Sequence, residues 1–418
     1  MKVPPPLFIA LRFLFENKRS MLLSVLGVTV GISLFIMAQA VSQGFKEFYV
    51  QSTVGTRGSI VISDRFQNRY SMIVENDAQN NMVAVENQKP RKFYPGIPDA
   101  YRMIRVIKTY PQVVACAPII EDRAFIRSGL LTEVTNVQGI DLELQLDTTD
   151  LAKQVIKGNL EDFRNDGSSI LIGSLLADRM QIEPGENVSV NSDQGESRRF
   201  KVAGIFQSGI NAIDEKTVYL HRKAAQSVLR KPYYTSSILV RVQNPEEAPV
   251  LAKAFEDHFS HRSRPWQERE KAMLATFQAI SIFATISVSA IIFMAGFAIF
   301  FILNMSVLNK TKEISILRSM GYFRTDIAAI FLWQGALLSL LGIFTGSLFG
   351  ATLTTLVSHI PIKIRGIFQA DHFIVTWDFK HYLIAALLSM ITCFLSAYYP
   401  ARRAARLQPV DVLRGTSQ

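Results

Sequence analysis

Four stretches of this chain carry no Asp, Glu, Lys or Arg: roughly residues 20–45, 272–309, 327–362 and 381–401. A helix of about 20 apolar residues crosses the ~30 Å hydrocarbon layer of a bilayer. One charged side chain at its centre costs about 2.5–3.5 kcal/mol on insertion scales. Runs this long and this free of charge predict transmembrane helices at 20–45, 272–309, 327–357 and 381–401. The first run exceeds the apolar core of about 7–15 residues found in a cleavable signal peptide, and no small-residue cleavage site follows Gln43, so it reads as a retained anchor. The second run would be about 57 Å long as a helix at 1.5 Å per residue, well beyond the bilayer. Its first part, Ala272 to about Phe283, is expected to stand outside the membrane as a stalk.

Elsewhere the periodicity changes. Pro4, Pro5 and Pro6 can open a helix but not sit inside one, and Leu7, Phe8, Leu11, Leu14 and Phe15 then recur at helical spacing. Residues 1–19 therefore predict an amphipathic helix lying in the membrane interface. Between the first two runs, residues 46–271 alternate in the manner of strands at Ile170–Gly173, Asn187–Val190, Phe200–Phe206 and Ser237–Val242, with turn residues between them. Tyr101 begins a helical pattern that gives way to Val113, Val114 and Ala115 and then to strand-like Ala124, Phe125 and Ile126. Glu246–Phe259 reads as a helix. This large segment is expected to be mixed α/β. Residues 64–98, polar and rich in Asn, Gln and Pro, suggest a long excursion.

Charge orients these elements. Of 45 Lys and Arg, 12 lie on the three short flanks 1–19, 310–326 and 402–418, with only 4 of the 35 acidic residues. Segment 46–271 is almost neutral. The net charge of +10 is thus a property of the flanks, which an even number of spans places on one face. By the positive-inside rule that face is cytoplasmic, with both termini inside and 46–271, together with a loop at 358–380, outside. Nucleic acid is not the partner this distribution suggests. Cys116 and Cys393 fall in different compartments, so no disulfide framework is expected.

Candidate chemistry is sparse. The sequence has no G-x-x-x-x-G-K-[ST] phosphate loop, no G-x-S-x-G elbow and no H-E-x-x-H helix. His258 and His261 share a helical face without a third ligand nearby, which fits a solvated pair better than a zinc site. Charged side chains are missing from the apolar runs, against an ion-coupled carrier built on buried carboxylates. Glycines recur at four-residue spacing, Gly27 and Gly31 in the first span and Gly342, Gly346 and Gly350 in the third. This small-xxx-small pattern suits close helix–helix or subunit contact, although membrane helices are also simply rich in glycine.

Three segments resemble a known family. Asn309–Gly321, with its basic–Glu-Ile, Leu-Arg and Gly pattern, is similar to the coupling-helix segment of MacB/FtsX-type ABC transporter permeases. The tail Tyr399–Arg414 is similar to that family's terminal signature, and so is the opening from Ala10-Leu11-Arg12 through Asn17–Ser20 to Gly27 and Gly31. Within the family, Gly139-Ile140-Asp141, Leu151–Lys153, Gly158–Leu160, Pro184–Val188, Val202–Ile210, Asp214 and Val218–Leu220 look like the external domain of lipoprotein-release (LolC/LolE-like) permeases; 64–98 matches none of it.

The resemblance implies four transmembrane helices and a large periplasmic domain, made of a porter-like α/β region with an inserted β-rich lobe at about 136–230. It implies an inner-membrane permease subunit that catalyses no reaction and holds no cofactor, with ATP and Mg bound by a separate cytoplasmic ABC ATPase. A second permease copy or a related permease, membrane lipids and a periplasmic lipoprotein carrier are the other implied partners. Mechanotransmission, in which ATPase closure moves the periplasmic domains, is the implied mechanism, and release of lipoproteins from the outer leaflet the implied task. MacB-like export of peptides or small amphiphiles and FtsX-like control of a cell-wall hydrolase remain open alternatives.

For coupling to the ATPase, Ile314, Leu317 and Met320 recur at three-residue spacing and are expected to form an apolar ridge. Lys312, Glu313 and Arg318 would rim it, and Gly321 would end the helix. For cargo, Met37, Val41, Phe277 and Phe283 are expected to border an acyl-chain cavity between the first and second spans.

Overall fold

The computed structural model describes residues 5–16, 18–64, 96–97, 99–192, 197–231, 234–360 and 372–407. The excursion at 64–98, the centre of the 358–380 loop and the end of the 402–418 tail lie largely outside the described residues. Helices used below are α1 (Pro5–Glu16), α2 (Lys18–Arg57), α3 (Ala100–Ile107), α4 (Ser174–Met180), α5 (Arg222–Val228), α6 (Ala248–Phe259), α7 (Lys271–Asn309), α8 (Thr311–Ser319), α9 (Arg324–Ser358) and α10 (Phe379–Ala405). The strands are β1 (Ile60–Ser63), β2 (Val113–Ser128), β3 (Leu131–Ile140), β4 (Val155–Gly158), β5 (Ser169–Gly173), β6 (Asn187–Ser192), β7 (Ser197–Phe206), β8 (Thr217–His221), β9 (Ser237–Val242) and β10 (Ser263–Pro265). The chain divides into two units, one holding Phe48–Leu274 and the other the segments on either side.

In the membrane unit α2, α7, α9 and α10 are each long and apolar enough to cross a bilayer. The first span, expected over 20–45, also extends beyond the bilayer. α2 has 40 residues, about 60 Å at 1.5 Å per residue, and continues past 45 to Arg57. Residues 46–57 are polar, yet the next glycine with a helix-stopping conformation is Gly58 (φ +67°), which leaves the helix at its C-terminus. α7 has 39 residues, as expected. α10 runs to Ala405, four residues beyond 401, with Pro400 inside it.

The spaced glycines are contacts between helices of this one chain. A Cβ on Gly31 would lie 2.9 Å from Cγ1 of Ile292 on α7, and one on Gly346 would lie 2.8 Å from Cβ of Ile32 on α2. Gly342 meets Val28, and Gly350 meets Ser33 and Ile36. Gly27 is looser: a Cβ there would sit 3.5 Å from Ala295, an ordinary contact. Glycine thus lets α9 and α7 approach the α2 backbone, and Val28, Ile32, Phe35, Ile292, Ile299 and Leu338 bury against one another there. The described part of the 358–380 loop lies along α2. Thr376 N–H donates to the Ala40 carbonyl at 3.0 Å, and His381 Nε2 is 2.7 Å from Gln43 Oε1.

The external unit has one sheet in the order β10-β1-β9-β2-β3-β8-β5-β7-β4, with β6 pairing both β2 and β7. It has two cores. Ile60, Ile62, Ile104, Cys116, Val240, Phe255 and Trp266 bury between α3, α6 and one end of the sheet. Ile126, Val137, Ile172, Leu176, Val190, Val202 and Leu220 bury with α4 and α5 at the other. The inserted lobe expected from about 136 starts earlier. The first half of β2 pairs β9 and its second half pairs β3 and β6, the change falling at Ile119; Ile120, Ala124 and Ile126 already belong to the lobe's core. One continuous 16-residue strand therefore serves both cores.

In the lobe, Asp214 is fully buried and its Oδ1 accepts the Ser208 N–H at 2.8 Å. Burial pushes this carboxyl up to about 6, opposed by hydrogen bonds from Ser208 and Gly209. Gly209, at φ +87°, lets the same loop approach Phe48 and Ser52 of α2.

Candidate functional site

The polar connection between α7 and α9 folds into the nine-residue α8. It ends in a Schellman arrangement: Gly321 N–H donates to Arg318 O and Tyr322 N–H to Leu317 O, both at 3.2 Å. Gly321 takes φ +100° with open space where a Cβ would be, so the helix-terminating glycine is conformational and leaves the adjoining surface bare.

The expected ridge does not face outward. Ile314 is 1% exposed and packs with Phe13, Val307, Ile327, Phe331 and Ala401; Leu317 is half-buried against the same cluster. The reason is that α8 needs an apolar face of its own to stay on α1, α9 and α10, and Ile314 and Leu317 supply it. The apolar side chains left outside are Ile316 (56% exposed), Met320 (73%) and Phe323 (75%). Ile316 and Met320, at i and i+4, lie one step around the helix from Ile314, and Phe323 follows beyond the Gly321 turn at the start of α9. Of the expected residues only Met320 is among them. Lys312 and Glu313 are exposed beside it.

Arg318 is likewise turned from a rim to an anchor. Its Nη1 donates to the carbonyl of Leu407 at 2.7 Å, at the C-terminus of α10, where unpaired carbonyls favour a cation. Lys310, which spacing did not single out, is 6% exposed. Its Nζ is 2.6 Å from Glu16 Oε2 on α1 and 2.6 Å from Glu313 Oε1 on α8, and 5.2 Å from the Phe13 ring centroid. Burial pulls the ammonium's pKa down, but the two carboxylate bonds outweigh it and hold the pKa above its ordinary value. Charged and apolar contacts thus tie α8 to α1, α7, α9 and α10.

Met37, Val41 and Phe277 are half-buried and Phe283 is 74% exposed. A recess of about 230 Å³ occurs in the membrane unit, at the other ends of the same helices, between Phe13, Met21, Leu303 and Leu338. Among the described residues no group of three or more His, Cys, Asp or Glu is arranged to hold a metal ion.

Two family models match. The MacB-like periplasmic core domain covers residues 21–258 and the FtsX-like permease C-terminal module covers 285–409. Among curated proteins the chain is 24% identical over 438 residues to the lipoprotein-releasing system transmembrane protein LolC of Xylella fastidiosa (strain 9a5c), spanning 98% of this chain and 99% of that protein. It is 24% identical to the lipoprotein-releasing system transmembrane protein LolE of Haemophilus influenzae, over 78% of this chain and 83% of that one. Among solved structures, the periplasmic region of MacB from Actinobacillus actinomycetemcomitans matches at 11% identity and a TM-score of 0.34, over 52% of this chain and 93% of that region.

Proposed function

Because the chain belongs to the family of the MacB-like periplasmic core domain, we propose that it is the permease subunit of an ATP-driven transporter that releases lipoproteins from the outer leaflet of the inner membrane. The observation that carries the reading is likeness to LolC over 98% of this chain and 99% of that protein. A cytoplasmic ABC ATPase supplies the energy, and a second permease, identical or related, completes the pair.

The mechanism follows from what α8 is tied to. The ATPase docks on Ile316, Met320 and Phe323, rimmed by Lys312 and Glu313. Ile314, Leu317, Arg318 and Lys310 fasten α8 to α1, α9 and α10, so a push on the outer face moves the group rather than bending the connection. α7, an unbroken helix of 39 residues, about 58 Å at 1.5 Å per residue, carries that displacement across the bilayer. The positive flanks support a cytoplasmic position for α8.

The test is reconstitution. The chain purified with its partners from gentle detergent is placed in proteoliposomes containing an acylated lipoprotein, and ATP-dependent appearance of that lipoprotein on a soluble carrier is measured. Release that requires both ATP and this chain is the expected result. A purified complex with an ATPase that hydrolyses ATP yet releases no lipoprotein, or one whose co-purifying partner is a periplasmic adaptor or a cell-wall hydrolase, would overturn the assignment.

A further inference from the structure

The recess in the membrane unit is built differently from a packing defect. Its lining is largely apolar, with Met21 of α2, Leu303 of α7 and Leu338 of α9, and includes Ser20 and Asn309, where α2 begins and α7 ends. Gln334 of α9 also lines it. That side chain is 2% exposed, and among the described residues its amide makes no hydrogen bond. A buried amide without a partner is unfavourable, and it is worse in a bilayer, where water is scarce. Gln334 sits one turn beyond Phe331, which packs with α1 and α8 residues, so it lies near the boundary between headgroups and hydrocarbon.

Two cations adjoin the lining residue Ser20 in sequence. Lys18 and Arg19 immediately precede Ser20, are exposed, and make no ion pair among the described residues. Glu16, the nearest acid in sequence, is already held by Lys310. The recess, at about 230 Å³, exceeds the roughly 150 Å³ apolar cavity that admits a benzene ring, so it has room for several carbons of an alkyl chain. Phe301 and Met305, 65% and 58% exposed, mark its open side.

We propose that this recess holds one acyl chain of an anionic phospholipid of the cytoplasmic leaflet, with an ester oxygen accepting from Gln334 and the headgroup phosphate meeting Lys18 and Arg19. The site is on the opposite side of the membrane from the cargo path and independent of which cargo is moved. Its occupant is a resident lipid, fastening α1 and the ends of α2, α7 and α9 together.

The experiment is native mass spectrometry of the full chain with its partners, delipidated in detergent and titrated with dioleoyl phosphatidylglycerol or dioleoyl phosphatidylcholine. One phosphatidylglycerol per chain should bind at least tenfold more tightly than phosphatidylcholine. Ser306→Phe, which fills the recess from its lining, should abolish that bound lipid, whereas Leu348→Phe, on an exposed stretch of α9, should not. Lys18→Glu with Arg19→Glu should erase the preference for phosphatidylglycerol. Lipid counts equal in wild type and S306F, or lost equally in S306F and L348F, would overturn the site. An unchanged headgroup preference in the charge-reversed variant would overturn the assignment to an anionic lipid. A disulfide between two chains of Met305→Cys with lipid counts unaffected by S306F would assign the recess to a second copy instead.

Discussion

Which face of α8 meets the ATPase can be decided by comparing two sets of truncations. Full burial of an Ile, Met or Phe side chain is worth about 1.5–3 kcal/mol. Scaled by the exposed fractions of Ile316, Met320 and Phe323, complete coverage by a partner contributes at most about 3–6 kcal/mol, an upper bound because docking also orders side chains. Truncating all three to Ala keeps each Cβ and forfeits roughly 2–4 kcal/mol, or about 30- to 1,000-fold in Kd. Ile314→Ala acts on a different quantity. Ile314 is 1% exposed, and emptying such a site costs about 2–5 kcal/mol of fold stability while leaving the outer face in place. The assay is a titration of the purified permease, in nanodiscs, with its ATPase, recording Kd and stimulated ATP hydrolysis, alongside thermal unfolding of the permease alone. The triple variant should lose ATPase affinity at an unchanged midpoint, and I314A should lose several degrees with Kd kept within about threefold. A triple variant with wild-type Kd, or an I314A variant that loses affinity without losing stability, refutes the assignment of faces.

Two further outcomes follow from the packing. The Asp214 carboxyl, pushed up to about 6 by burial, binds its proton more tightly folded than unfolded, so this group adds stability as pH falls from about 7 toward 4 and loses it as pH rises through 6. Between pH 7.5 and pH 5 the gain is about 1 kcal/mol; Asp214→Asn should remove that increment, and parallel wild-type and D214N melting profiles across the range would contradict it. Gly346→Leu forces a side chain where even a Cβ stands 2.8 Å from Ile32, so α2 and α9 must part. Overpacking of this kind costs about 1–3 kcal/mol, and an unfolding midpoint in detergent equal to wild type would show that the helices are not held by this contact.

Much of the architecture was legible because the bilayer simplifies the problem. A charge-free run has to become a spanning helix, so α2, α7, α9 and α10 could be placed within a few residues at most boundaries. What misled was where a helix ends outside the bilayer. Nothing in Lys46–Arg57 halts the α2 helix, and local composition does not reveal that the next glycine adopts a positive φ at residue 58. The lobe boundary was hidden for a related reason: β2 is one uninterrupted strand whose two halves pair with different neighbours, and a strand's sequence does not disclose its partners. At α8 the difficulty was of choice. Ile314 with Leu317 and Ile316 with Met320 are both apolar pairs at helical spacing, and only the presence of Phe13, Ile327 and Ala401 on one side decides between them. Lys310 was missed because its importance depends on Glu16, 294 residues away in sequence.

The distribution of buried residues along α7 bears on how such a helix could work. Its buried positions are Ile292, Ala295, Gly296, Ile299, Leu303 and Val307, at three- and four-residue spacing, and all lie in its second half. Gly296 of that half takes the side chains of Thr392 and Ser396 on α10 close against its backbone. From Ala275 to Ile291 no residue of α7 is buried within the chain, although Gln39 of α2 donates to Thr285 at 2.6 Å. The half next to α8 is therefore clamped by its own chain, and the half beyond it offers Ile280, Ile282, Phe283 and Ile286 to whatever lies alongside. Moving the clamped half costs the packing of a core, whereas changing partners along the bare half costs little beyond exchanging one apolar neighbour for another. Phe277 and Phe283 belong to that bare half, and Met37 and Val41 lie on α2. Any acyl chain or second permease alongside would complete a surface that the bare half leaves open.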